Sequence, residues 1–519
     1  MKFSKIDCLF LFLTAILLGL VSWYGAFGDE QENITAGWLI VQGLVPYRDF
    51  FFHHAPLPFF LAGLAESLSA GNGLAVSRGL VVFMHLFVWG FVLRFSDNKI
   101  RKSVYISMIL ISGFLVPLFH LQMLLADTLV VLSLVMILFV SASWWRYNFP
   151  NPEKVVAVYV ASTFIAVTSS VAASIAFAII GLILVYKLIS EFGLKFLLHK
   201  ITRQIYWGFF LFAIFPVYFS LNKALESMWW SVFVYNQKYY LPFRLAENEF
   251  ERKFGMIGRI IQQFYFFIAR SSQELFSALR AFISTFIHIP MAISNNSFSE
   301  LPSYLQIMFS EFFLHLANIE VAMLLLLLTT IMLLLWKKPV FTLPAILLLI
   351  FLRFRSNELF HIGPFVAGMV IFASVLFFQL KERKVKIALI FLCIPFLIIT
   401  SSSYVSHFQQ KNPVVSQVQV NNAKNIAENS QKDDSLLVID GDTYLYYLSD
   451  RLPATRYFYY LPWFVPSERI TSEVARTVSF RTADTIFMEN VGENDYRYQL
   501  VSSLESNYSG VAPNVWKVK

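Results

Sequence analysis

Up to about residue 405, long apolar runs alternate with short polar breaks, which is the pattern of a helix crossing and recrossing a bilayer. A spanning helix needs about 20 mostly apolar residues. Runs that meet or approach this cover Asp7–Phe27, Leu74–Val92, Val104–Phe119, Leu124–Ala142, Val155–Val171, Ala173–Tyr186 and Tyr206–Leu221. Four more follow at Phe312–Trp336, Val340–Leu352, Ile362–Leu380 and Ile387–Tyr404. The pattern predicts about 11 transmembrane helices, with the shorter runs extended by flanking residues. Two stretches break the rhythm. Residues 222–311 are long and amphipathic in places, and "MIGRIIQQFYFFIARSSQELFSALRAFISTFIHIP" suits a helix lying in the interface. Beyond residue 405 the pattern becomes that of a small α/β unit. It has a strand "SLLVID", helices "TYLYYLSD" and "ERITSEVARTV", a strand "TIFMEN", a helix "YRYQLVSSLES" and a strand "VWKVK". "QQKNPVVSQVQVNNAKN" reads as the connector to it. The organisation expected is a membrane domain at 1–405, with a first outer loop at 28–73, and a C-terminal α/β domain at 406–519.

Composition agrees with a membrane protein. Of 519 residues, 57% are hydrophobic and 14% charged, against about one quarter charged in a soluble domain. The net charge of +8 is explained by where the basic residues fall. Lys2, Lys5, Lys99, Arg101, Lys102, Arg146, Lys154, Lys187, Lys195, Lys200, Arg203, Lys337, Lys338, Lys381, Arg383, Lys384 and Lys386 all lie in alternate breaks between runs. That asymmetry places the N-terminus in the cytoplasm and the C-terminal domain outside. It also makes nucleic-acid binding unnecessary as an explanation of the charge. The first run is too long for a signal-peptide core and lacks a small-residue cleavage site, so it reads as a retained helix. Cys8 and Cys393 both lie in apolar runs and give no disulfide or metal spacing.

Three clusters of ionisable residues lie in breaks on the outer side. "GDEQENITAGWLIVQGLVPYRDFFFHHAPL" holds Asp29, Glu30, Arg48, Asp49, His53 and His54. "HLQMLLADTL" holds His120 and Asp127. "LRFRSNELFHIGP" holds Arg353, Arg355, Glu358 and His361. Ionisable groups at membrane depth are costly and mark functional sites. Arginine grips phosphate, cations stabilise a departing phosphate, and a carboxylate takes a proton from an attacking hydroxyl. This set suits sugar transfer from a lipid phosphate to an alcohol. The blander readings are a local Arg48–Asp49 ion pair, histidines that only pack, and an Arg353 that snorkels to the headgroups.

With these residues in view, the chain resembles the GT-C superfamily of polyprenyl-phosphate-sugar-dependent glycosyltransferases, in the bacterial branch related to protein O-mannosyltransferases and lipid A aminoarabinose transferases. The resemblance rests on Asp29-Glu30 after the first run, on "GLVPYRDFFFHHAPLPFFL", on "RFRSNELFHIGPFV" and on "YLYYLSDRLPATRYFYYLPW". It implies a GT-C-like multi-pass fold and a donor in which the sugar is linked to polyprenyl phosphate. The acceptor would be a lipid, glycan or protein, and transfer would serve cell-envelope assembly with inversion at the sugar. It assigns the catalytic acid to Asp29 with Glu30 beside it, and donor-phosphate contacts to Arg48, Arg355 and His361. Asp127, His53, His54 and Glu358 are further candidates. No cofactor is implied, no metal motif is present, and a divalent ion is left open. The rival readings are a flippase for a lipid-linked sugar and a polysaccharide ligase or polymerase. A flippase would place its charges near the midplane of two similar halves, whereas here they lie at helix ends on one side.

Overall fold

The computed structural model describes residues 3–245 except 24, 26 and 70, then 339–353, 359–378, 414–488 and 495–519, with short helical pieces between 262 and 331. The predicted runs Phe312–Trp336 (apart from those pieces) and Ile387–Tyr404, most of the interfacial segment, and Arg355 and Glu358 lie outside the described residues.

Helix α1 (Lys5–Val21) opens on a capping box, in which the Ser4 hydroxyl accepts from the Asp7 amide and the Asp7 carboxylate accepts from the Ser4 amide. Asp7 is buried, and Arg101 and the Tyr105 hydroxyl also bond to it, at 2.9 and 2.8 Å. Two shorter helices follow, α2 (Gly28–Val41) and α3 (Leu57–Ser69). Then come α4 (Gly73–Phe95), α5 (Asn98–Leu118), α6 (Ala126–Tyr147), α7 (Pro152–Ser169), α8 (Ala173–Lys200) and α9 (Thr202–Leu221). Among the described residues, α4, α5, α6, α9 and the Ala173–Lys195 part of α8 are long and apolar enough to cross a membrane. Helix α5 widens into a π-helical stretch at Ile109–Leu115, and α10 (residues 225–245) does so at Trp230–Tyr240. The last described membrane helices are α11 (Pro339–Arg353) and α12 (Leu359–Phe377). Helix α6 is buried along nearly its whole length and packs on α4, α7 and α12, so it is the central post of the bundle.

The C-terminal unit is a five-stranded sheet in the order β2-β1-β3-β5-β4. Its strands are β1 (Leu436–Ile439), β2 (Tyr459–Tyr460), β3 (Thr485–Met488), β4 (Tyr508–Ala512) and β5 (Val515–Val518). The first three run parallel, and β5 joins β3 antiparallel. Helices α13 (Gln417–Glu428), α14 (Tyr444–Ser449), α15 (Glu468–Ser479) and α16 (Tyr498–Asn507) complete it. The continuous apolar run "LLVI" is buried at every position, as a central strand covered on both faces requires.

Two segments hold more helix than the sequence pattern suggests. Helix α1 ends at Val21, inside the predicted run Asp7–Phe27, and the segment 28–73 is largely α2 and α3. Asp29, Glu30, Gln31, Glu32 and Asn33 are too polar to continue a spanning helix, but they suit a helix whose polar faces meet protein. The "connector" contains α13, whose start is fixed by a Ser416–Gln419 capping box that the polar composition masked.

Helix α2 approaches α3 closely. A Cβ on Gly37 would lie 2.5 Å from backbone atoms of Ala62 and Gly63, so only glycine fits there. The following loop, "PYRDFFFHH", is bound to the C-terminal unit rather than to lipid. The Phe51 amide donates to the Arg456 carbonyl at 2.9 Å. Phe50, Phe51 and Phe52 are fully buried against Tyr457, Phe458, Tyr459 and Phe464. The sheet therefore shares a hydrophobic core with α2, α3, the end of α9 and α10, beside the separate core of the helix bundle.

Candidate functional site

Helix α2 is the organising element, and each of its faces has a distinct job. Glu30 points into the bundle. It is fully buried and paired with Arg78 of α4, whose Nη2 lies 2.6 Å from Oε2 and whose Nε lies 3.1 Å from Oε1. Arg78 also donates to the carbonyls of Ser22 at 2.9 Å and Gly25 at 2.7 Å. Glu30 and Arg78 thus hold the break between α1 and α2. One turn on, Asn33 donates to the Leu124 carbonyl at 2.8 Å. This fastens α2 to the turn that leads into α6.

A second face meets the C-terminal unit. Gln31 donates to the Val414 carbonyl at 3.3 Å and accepts from Gln419 at 2.9 Å. Thr35 donates to the Thr443 carbonyl at 3.3 Å, and Trp38 sits edge-on to Tyr447.

Between these faces lie Asp29 and Glu32, three residues apart and so neighbours on the helix surface. Burial drives the Glu32 carboxyl well above the usual carboxylate range, and the negative charges of Asp29 and Asp442 push it further. Asp442 follows β1 in the C-terminal unit. It accepts from the Tyr444 amide at 2.8 Å and from the Gln419 side chain, and burial raises it too. His54 Nε2 stands 3.8 Å from Glu32 Oε2. The Tyr459 ring comes from β2, and its hydroxyl is buried without a hydrogen-bond partner among the described residues. Burial raises its pKa most, with the negative charges of Glu32 and Asp29 adding to the effect. The result is a cluster of carboxyl groups in which burial and mutual repulsion favour the neutral forms of Glu32 and Asp442. That arrangement provides a hydrogen-bond donor and a base at neighbouring positions.

The second and third clusters of the sequence come together. Asp127, at the start of α6, is 1% exposed, and its Oδ2 lies 2.6 Å from His361 Nδ1 on α12. Phe27, two residues before Asp29, stacks on His120 with ring centroids 5.5 Å apart and packs on Met123 and Leu125. The Asp127–His361 pair is therefore built on the same turn that α2 grips.

Other candidates are placed differently. Arg48 forms a two-pronged pair with Asp49, at 2.8 and 2.7 Å, and donates to the Asn222 carbonyl at 3.0 Å, so it closes the loop onto the end of α9. His53 is buried against the rings of His54 and Tyr240, and burial holds its pKa well below the usual histidine value, leaving a neutral ring. Arg355 and Glu358 are outside the described residues. Glu32, Asp442 and Tyr459 were not anticipated from sequence. The three-residue spacing from Asp29 was a signal for Glu32, whereas nothing local in "VIDGDTY" marks Asp442. Among the described residues no group of three or more His, Cys, Asp or Glu side chains is arranged to hold a metal ion.

No family model matches the sequence, and no curated protein matches it. Solved structures do. The chain is similar to ArnT from Cupriavidus metallidurans in the apo state, with a TM-score of 0.50 at 12% identity over 98% of this chain and 97% of that one. The structure of the same protein bound to undecaprenyl phosphate matches at a TM-score of 0.41 and 12% identity over the same shares of the two chains. The multi-pass helical membrane fold with a small C-terminal sheet, expected from the resemblance, is the fold this chain has, and it is the fold of ArnT.

Proposed function

We propose that this protein is a membrane glycosyltransferase that moves a sugar from a polyprenyl-phosphate donor to a hydroxyl acceptor at the extracytoplasmic face, in cell-envelope assembly. The observation that carries the reading is the Asp29–Glu32 pair, set at the seam between the membrane helices and the C-terminal sheet and closed over by Asp442 and Tyr459. The match to ArnT along nearly the whole chain supports the fold on which such a site is built.

In this reading Asp29 is the general base. The acceptor oxygen attacks the anomeric carbon as its proton passes to Asp29. The bond from that carbon to the phosphate oxygen breaks, and its electron pair leaves with the polyprenyl phosphate. A single displacement inverts the sugar. The leaving phosphate needs no proton, so one base suffices. Neutral Glu32 donates a hydrogen bond to Asp29 or to a sugar hydroxyl, and a second negative charge is kept out of the pocket. His361, oriented by Asp127, and Arg355, six residues earlier in the chain, contact the departing phosphate. Glu30 orients α2 through Arg78 and takes no part in proton transfer, and Arg48 shapes the loop. A flippase would hold ionisable groups at mid-helix breaks, whereas among the described residues Glu30, Asp127 and His361 lie near helix starts.

The donor class is tested by depleting the protein and analysing polyprenyl-linked sugars by mass spectrometry. Accumulation of a monophosphate-linked single sugar is expected. Accumulation of a diphosphate-linked oligosaccharide would replace this reading by a ligase or polymerase.

A further inference from the structure

At the opposite end of the bundle from Asp127 and His361 lies a trough between α6, α8, α11 and α12. Its volume is about 560 Å³, within the range of small-molecule sites. Asp127 and Arg146 stand nineteen residues apart on α6, so roughly 28 Å of helix separates the trough's mouth from the proposed transfer site. The two sites therefore face opposite leaflets.

The walls are aliphatic and aromatic, with Leu138, Ile180, Leu184, Leu348, Phe372 and Leu376 among them. The mouth has the opposite chemistry. Arg146, Lys187, Trp145 and Tyr147 line it. Lys187 lies 4.9 Å from the Trp145 ring centre and is paired with Glu191. Arg146 donates to the Tyr147 hydroxyl at 3.0 Å, and Lys99 stands 5.2 Å from the Tyr147 ring centre. Among the described residues, the positive charges of Arg146, Lys187 and Lys99 at this end of the bundle outnumber the carboxylates of Glu191 and Asp97. A tryptophan and a tyrosine beside cations at a helix end mark the headgroup level of a bilayer. Within the trough, the Ser141 hydroxyl is buried with no hydrogen-bond partner among the described residues. An oily slot whose mouth is cationic and whose interior holds one spare donor matches a lipid with an anionic head, an ester carbonyl and an acyl chain.

We propose that this trough binds one anionic glycerophospholipid from the leaflet opposite the transfer site. Its phosphate lies at Arg146 and Lys187, an ester carbonyl accepts from Ser141, and an acyl chain runs between α6, α8 and α12. The site stands independently of the glycosyltransferase reading, because none of its residues belongs to the proposed transfer site.

The test is native mass spectrometry of the full chain, released from detergent after equal supplementation with phosphatidylglycerol, phosphatidylethanolamine and diacylglycerol. Retention of one phosphatidylglycerol in preference to the other two is expected. Arg146→Gln and Lys187→Gln should each weaken its retention by about fivefold, the worth of one basic residue near an anionic surface. Ala142→Phe, which fills the slot from α6, should expel the lipid while leaving the cations in place. Equal retention of the three lipids would overturn the proposal, as would indifference to the charge variants or to Ala142→Phe. Preference for a polyprenyl phosphate over phosphatidylglycerol would overturn it as well.

Discussion

Replacing Glu30 separates a structural role from a catalytic one, because it neighbours Asp29 yet faces the other way. Glu30 is fully buried, and its partner Arg78 is 3% exposed. Removing one member of a buried ion pair costs about 3–5 kcal/mol, since the other is left charged without compensation. Glu30→Ala should show that full loss. Glu30→Gln keeps one acceptor for the guanidinium and should fall at the lower end, about 3 kcal/mol. The double variant Glu30→Met/Arg78→Met removes both charges, yet it should recover only part of the loss. Arg78 also satisfies the Ser22 and Gly25 carbonyls, and an orphaned buried carbonyl costs about 1–3 kcal/mol. The assay is chemical unfolding of the purified chain in lipid nanodiscs, run as a double-mutant cycle alongside transfer activity measured well below the unfolding transition. Coupling between the two positions and near-normal turnover by the folded Glu30→Gln protein are expected. If Glu30→Gln unfolds like the wild type but has lost turnover, Glu30 is a chemical participant and the division of labour on α2 is wrong.

Two other consequences follow from the same geometry. Glu32 faces Asp29, Asp442, His54 and Tyr459, and its raised pKa means that its neutral form, present at low pH, is lost as pH rises through that value. Activity that uses neutral Glu32 therefore has an alkaline limb. Asp442→Asn removes one of the negative charges that hold the proton on, so the limb should move to lower pH while burial keeps it above the usual carboxylate range. Glu32→Gln should abolish that limb, and unchanged pH profiles in both variants would remove Glu32 from the chemistry. Orientation is checked by reporter fusions after Lys338 and after Ser406, which should give opposite signals, with the second outside; matching signals contradict the topology drawn from the basic residues.

The helical membrane class and the composition of the C-terminal unit were legible in the sequence because both depend on local periodicity. Val155–Val171 and Ala173–Tyr186 form one nearly unbroken apolar run, yet the chain breaks between α7 and α8 near where "TSSVAAS" marks it. In the C-terminal unit, the six predicted helices and strands fall on β1, α14, α15, β3, α16 and β5. The two-residue β2 was invisible because so short a strand has no pattern, only a partner in β1. What failed at Gly28 is instructive. A helix starting at a polar stretch looks like a loop when the reader assumes lipid or water around it, and α2 has neither. Its polar faces are matched by Arg78, Leu124, Gln419 and Thr443, all far away in sequence. For the same reason the site was only half legible. Asp29, Asp127 and His361 stood out as charges in oily surroundings. Glu32 was overshadowed by its neighbours, and Asp442 belongs to a domain whose docking no local pattern announces. At Arg48 the structure has the local ion pair that the sequence also offered, with Asp49 at the next residue as its partner.

The central claim is that Asp29 accepts the proton of the attacking hydroxyl. Its most direct test is single-turnover transfer from a purified polyprenyl-phosphate sugar by Asp29→Asn, with donor binding measured separately on the same preparation. The side chain keeps its shape and loses its basicity, and a positioned general base contributes about 10²–10⁴-fold. The account predicts that the transfer rate falls by about that factor while donor affinity and unfolding midpoint stay near wild type. Transfer at the wild-type rate by Asp29→Asn would contradict it and move the search for the base to Asp127.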